Sequence, residues 1–148
     1  MSESRATADD RIGALPPARR RAVQVLGALV WLTGAVWLIF KYFVRVPDEF
    51  GFDNPHPQMG SWMIAHAFAS LGAVWLMGVL WRGHVVRGWN LRQRRGSGGT
   101  LFGLAVWLAL SGCTLYYIGS DVLRDWVSLA HWVPGLVALG VFLVHRPR

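Results

Sequence analysis

The residues of this chain best suited to chemistry are its five histidines, His56, His66, His84, His131 and His145. Neutral imidazole is a good ligand for iron, zinc, copper and nickel. Four of the five form two pairs along the chain. His66 and His84 are 18 apart, five whole turns of an α-helix, and His131 and His145 are 14 apart, within about 40° of four whole turns. Each pair therefore marks one face of one helix. At about 1.5 Å of rise per residue, its members stand roughly 21 to 27 Å apart. The pattern predicts two sites at two depths, His66 with His131 and His84 with His145. Because the spacings differ, His84 and His145 are expected to lie at unequal depths. His56 falls among Pro47, Asn54-Pro55 and Pro57 and reads as a solvated loop residue.

The residues between the histidines narrow the chemistry. One face reads His66, Ser70, Ala73, Met77, Leu80, His84, and the other reads His131, Pro134, Gly135, Ala138, Phe142, His145. Small side chains beside His66 and His131 let helices approach closely, and they also leave room for a flat macrocycle between two helices. Two imidazoles from facing helices, one on each side of an iron, are the ligand set of bis-histidine haem. Haem b needs no Cys-x-x-Cys-His attachment motif, and the sequence has none. No carboxylate or thiolate lies on these faces to complete a zinc or copper site. The lone Cys113 excludes an internal disulfide and reads as a small packing residue. The plainer reading of the histidines is interhelical hydrogen bonding, worth on average about 0.6 kcal/mol per contact in membranes.

The elements that must position these residues are membrane spans. The chain has 148 residues, 53% of them hydrophobic and 16% charged. A helix crossing the hydrocarbon core needs about 20 mostly apolar residues. Four segments meet that need: 22–43, 61–81, 100–118 and 126–144. None holds an Asp or Glu, and Lys41 is their one cation, close enough to a span end to reach the interface. The expected fold class is all-α, a four-transmembrane-helix bundle, with residues 1–21 as a disordered basic tail and 22–148 as the transmembrane domain. The first apolar run is too long for a signal-peptide core and reads as an uncleaved signal-anchor. The Gly96-Ser97-Gly98-Gly99 stretch reads as a flexible lead into the third span.

Charge sets the expected orientation. Twelve of the 15 basic residues precede the first span, fill the loop from Arg82 to Arg95, or end the chain. The positive-inside rule then places both termini and that loop in the cytoplasm, which four crossings allow. The net charge of +7 has this topological explanation together with contact with anionic headgroups of the membrane lipids; with no soluble domain, a nucleic-acid partner is not expected. Trp62, Trp81, Trp126 and Trp132 stand near span ends, as interfacial tryptophans do.

Over His66 to His145, about half the chain, the sequence resembles the small bacterial b-type cytochrome membrane subunits. That group includes four-helix di-haem cytochrome b proteins and the membrane subunits of formate dehydrogenases and nickel–iron hydrogenases. The residues that carry the likeness are His66 early in the second span, the Leu110-Ser111-Gly112 end of the third, and His131 and His145 in the fourth. The resemblance implies a multi-pass protein of the bacterial cytoplasmic (inner) membrane, an electron-transfer subunit of an oxidoreductase. One or two haem b groups would pass electrons between a quinone pool and a partner redox protein, a flavoprotein or iron–sulfur protein. His66 and His131 would hold the outer haem and His145 one side of the inner one. Many members place the remaining ligand on the first helix, which has no histidine here, so His84 takes that place. Arg45, Arg124 and Trp62 are candidate propionate partners outside, and Arg82, Arg87 and Arg92 inside. The alternative is a haem-free subunit that anchors or assembles a larger complex. A transporter ranks last, because the mid-span regions hold no ionisable group.

Overall fold

The computed structural model of this protein describes residues 15–146. Residues 1–14, most of the expected basic tail, lie outside the described residues, as do 147 and 148. Pro17, in the first turn of helix α1 (Pro17–Phe43), suits that position because a helix's first N–H groups have no intrahelical acceptor. Arg19, Arg20 and Arg21 are good helix formers, so the helix begins inside the stretch expected to be disordered. At about 1.5 Å per residue its 27 residues span roughly 40 Å, more than the hydrocarbon core.

A short antiparallel hairpin follows, β1 (Arg45–Pro47) paired with β2 (Asp53–Pro55), in a loop expected to be irregular. Asp48 organises its turn. Its Oδ1 accepts from the Phe52 N–H at 2.8 Å and the Phe50 N–H at 2.9 Å, and its Oδ2 accepts from Asn54 Nδ2 at 3.2 Å. These donors, the Phe52 N–H foremost, hold the carboxyl below its ordinary range. Gly51 takes the left-handed conformation the turn requires, at φ 81°.

Helix α2 (Gln58–Leu80) runs without a break into a π-helical segment, Trp81–Val86, and a last α-turn, α3 (Arg87–Asn90). The inner loop expected from Arg82 onward is thus largely helical. A tight turn with two left-handed residues, Arg92 (φ 58°) and Arg94 (φ 44°), leads into α4 (Arg95–Leu115). The turn closes with the Gln93 N–H on the Gly88 carbonyl and the Arg92 N–H on the Trp89 carbonyl, the two bonds of a Schellman motif with Arg92 where glycine is usual. Residues 96–99 belong to α4 and are not a flexible lead: Gly98 and Gly99 are the points at which His145 and Trp89 pack against the helix. Ser120 caps α5 (Asp121–His145), its Oγ accepting from the Leu123 N–H at 3.5 Å.

The helices pack as two hairpins, α1 along α2 and α4 along α5, with fewer close approaches between the hairpins. Gly72 receives Leu26 within the first hairpin, and Gly135 receives Leu108 within the second. Pro134 has no N–H to give the Ala130 carbonyl, and Trp107 Nε1–H of α4 donates to that carbonyl instead, at 2.7 Å. Large apolar side chains such as Phe68, Leu71, Trp75, Leu110 and Val137 stand exposed along the outside. Four helices of this length and apolarity make a multi-pass membrane protein, with this girdle facing lipid. No large side chain among the described residues is fully buried.

Candidate functional site: two stacked histidine pairs

All four helical histidines point between the two hairpins. His66 sits in the third turn of α2 and His131 in the third turn of α5. Their ring centroids are 6.3 Å apart with the planes at 88°. His84 lies in the π-helical segment and His145 is the last residue of α5, and their centroids are 6.2 Å apart at 78°. The structure thus brings together both pairings expected from spacing. It also corrects one expectation, because His84 and His145 meet as closely as the other two. The π-helical turn at His84 takes up part of the mismatch between the two histidine spacings, since i→i+5 bonding packs more residues into each turn.

The separation is informative. Two imidazoles joined by a hydrogen bond would bring a ring nitrogen of each within about 3 Å, and among the described residues no hydrogen bond joins the rings of either pair. A metal between them adds two bonds of about 2.0 Å, and with about 1.1 Å from each nitrogen to its ring centroid the centroids stand roughly 6.2 Å apart. Both pairs stand near that figure, which also falls in the range of edge-to-face ring packing. Each offers two donors only; among the described residues no three His, Cys, Asp or Glu side chains converge. A two-donor set suits a metal that brings its other ligands with it, as iron in a porphyrin does, better than it suits a bare tetrahedral ion.

Hydrogen bonds from the neighbouring helix decide the tautomers. His66 Nδ1 lies 3.0 Å from the Val30 carbonyl, which can only accept, so this nitrogen carries the proton. The same N–H faces Thr33 Oγ1 at 3.2 Å, whose own hydrogen is committed to the Leu29 carbonyl at 2.7 Å. His131 Nδ1 faces Ser111 Oγ at 2.9 Å, and Ser111 donates to the Trp107 carbonyl at 2.7 Å, so His131 again donates. Nε2 of both histidines keeps its lone pair for a ligand. This is how metal-ligating histidines are commonly oriented, with the second ring nitrogen donating to a neighbour. His145 Nδ1 has Ser97 Oγ at 3.0 Å.

Each hydroxyl is followed by a glycine, and the glycine makes room for the ring. A Cβ on Gly34 would lie 3.0 Å from His66 Cε1, one on Gly112 3.2 Å from His131 Cε1, and one on Gly98 3.2 Å from His145 Cε1. Thr33-Gly34, Ser97-Gly98 and Ser111-Gly112 are thus three copies of one device. Histidine spacing alone does not reveal the first two. The visible signal is that Ser97-Gly98 and Ser111-Gly112 repeat at the same interval that separates His131 from His145.

His84 has no such cradle. Among the described residues neither of its ring nitrogens has a hydrogen-bond partner, and the Arg19 guanidinium of α1 lies over the adjacent Gly83. Around the pairs, Arg94 Nη1 donates to the His145 carbonyl at 2.9 Å, closing the end of α5, a role not expected from sequence. Arg124, one expected propionate partner, donates to the Ile118 carbonyl at 2.6 Å and pairs with Asp121 at 3.4 Å. His56 lies away from both pairs, against the Phe40 ring at 4.8 Å. Comparison with protein-family models, curated proteins and solved structures finds no match to this chain.

Proposed function

We propose that this chain is a b-type membrane cytochrome that carries electrons between a quinone pool and a partner redox protein, a flavoprotein or an iron–sulfur protein. His66 and His131 hold one haem b, and His84 and His145 hold a second. The observation that carries this reading is the spacing of both ring pairs, 6.3 and 6.2 Å, with no hydrogen bond across either. The glycine cradles under the rings add to it. When bound, haem supplies a one-electron couple. The chain's work is to present Nε2 of His66 and His131 with Nδ1–H anchored to α1 and α4, and to keep the iron away from water. Arg82, Arg87 and Arg92, exposed and close to His84 in the chain, would offer cations to the propionates of a haem held there. On this reading the protein belongs to the bacterial cytoplasmic membrane with both termini cytoplasmic, a placement that the charge distribution and the resemblance to bacterial di-haem membrane subunits support.

The test is a reduced-minus-oxidised visible spectrum of detergent-purified protein from haem-replete cells, with a pyridine haemochrome assay. A b-type spectrum with about two haems per chain is the expected result. Protein that purifies folded and colourless would overturn the cytochrome reading and leave a haem-free anchoring subunit.

A further inference from the structure

Three of the four histidines are tied to a neighbouring helix in the same way, and the fourth is not. His66, His131 and His145 each have a hydroxyl at Nδ1 and a glycine under Cε1. The register of the device shows where the fourth copy would stand. On α4 the device occurs twice, at Ser97-Gly98 and again at Ser111-Gly112; the same interval counted back from Thr33-Gly34 on α1 reaches Arg19-Arg20. The Arg19 guanidinium lies near Gly83, the residue before His84. Two bulky cations therefore replace a hydroxyl and a glycine. His84 also sits in the chain's only described π-helical segment, where the backbone is bonded i→i+5; such turns are frequent at functional sites. Among the described residues no hydrogen bond from a neighbouring helix holds its ring, which stands edge-on to His145.

We infer that His84 is an exchangeable ligand, so that the metal between His84 and His145 accepts a small neutral diatomic molecule in its place. The metal between His66 and His131 does not. The inference rests on the haem reading above. The step is a ligand exchange: the bond from iron to the His84 nitrogen breaks, the bond to the diatomic ligand forms, and the iron stays ferrous. No electron or proton is transferred. Outer-shell partners of a metal-bound histidine are typically worth about 10- to 100-fold in metal affinity, so a ligand lacking them is the one displaced.

The test uses carbon monoxide as the probe, on the full-length protein in detergent after dithionite reduction. Haem content is measured on the same sample. The expected result is a carbon monoxide difference spectrum from about half of the haem, the remainder staying six-coordinate. Restoring the cradle with Arg19→Ser/Arg20→Gly should weaken carbon monoxide binding about tenfold at unchanged haem content. Arg19→Ala/Arg20→Ala removes the same charge without the cradle and should bind as the parent does. Ser111→Ala releases His131 and should bring a fraction of the second haem into the carbon monoxide spectrum. A protein with two haems that binds no carbon monoxide overturns the inference and leaves the cytochrome reading standing. Equal binding at both haems, or a single haem lost only when His66 or His131 is replaced, overturns it as well. Colourless protein overturns both.

Discussion

The two histidine pairs are alike in ring spacing and unlike in how they are held. At the hairpin end both rings donate Nδ1–H to the neighbouring helix, to Val30 and Thr33 on one side and to Ser111 on the other. Both rings also lie against a glycine. At the basic end only His145 has that support, and its partner stands in a π-helical turn beside arginines. The same ring separation can therefore arise from two constructions. One is over-determined by packing and hydrogen bonds. The other is held by one anchored ring and a π-helical turn. The difference teaches that where a ring is placed and how rigidly it is held are separate properties, and that rigidity is set by residues on the helices that carry no histidine.

The sharpest way to break the comparison is to remove a ligand from each pair. His131→Ala is expected to abolish the haem at the hairpin end, reducing content from about two haems to about one by pyridine haemochrome. His84→Ala should spare more haem than His131→Ala does, because His145 remains anchored by Ser97 and the position of His84 is the replaceable one.

A smaller effect separates the two anchors at the hairpin end. Ser111→Ala leaves His131 Nδ1–H without its hydroxyl acceptor and should weaken haem retention about 10- to 100-fold in an apomyoglobin competition assay. Thr33→Val should cost less, because His66 keeps the Val30 carbonyl at 3.0 Å. Equal losses from the two variants would show that the carbonyl does not hold His66.

Glycine substitutions test the cradles by sterics alone. Gly34→Ala places a methyl 3.0 Å from the His66 ring and should destabilise the folded protein by about 1–3 kcal/mol in detergent unfolding. Gly103→Ala, on α4 with nothing within 4 Å of the new Cβ, should be neutral or stabilising by roughly 0.5–1 kcal/mol. A further small effect concerns the support behind His131. Trp107→Phe strands the Ala130 carbonyl that Pro134 leaves free and should cost about 1 kcal/mol. Its haem spectrum at the hairpin end should remain b-type, since no ligand is touched.

Much of this organisation is legible in the chain itself. Four apolar runs long enough to span lipid dictate four helices, because lipid offers no partner for unpaired backbone groups. The spacings of His66 to His84 and of His131 to His145 place the histidines on single faces of two helices. Span ends are less legible. Residues 17–21 and 96–99 read as tail and linker from charge and glycine content, yet both are helical, since a helix can project beyond the apolar core and glycine is favoured where another ring must approach. Periodicity likewise predicts unequal depths for His84 and His145, because it assumes a uniform α-helical pitch.

Only the tertiary structure decided three things. His84, in a π-helical turn that takes up part of the spacing mismatch, meets His145 at 6.2 Å between ring centroids. The hydroxyl–glycine pairs meet the rings across long stretches of sequence, Thr33 with His66, Ser111 with His131 and Ser97 with His145. Trp107 satisfies the carbonyl freed by Pro134. The physical reason is the same in each case. Apolar length and helical period act within one segment and can be read along it. A hydrogen bond, a van der Waals clearance or a local change of helix pitch depends on what the neighbouring segment presents at the same depth.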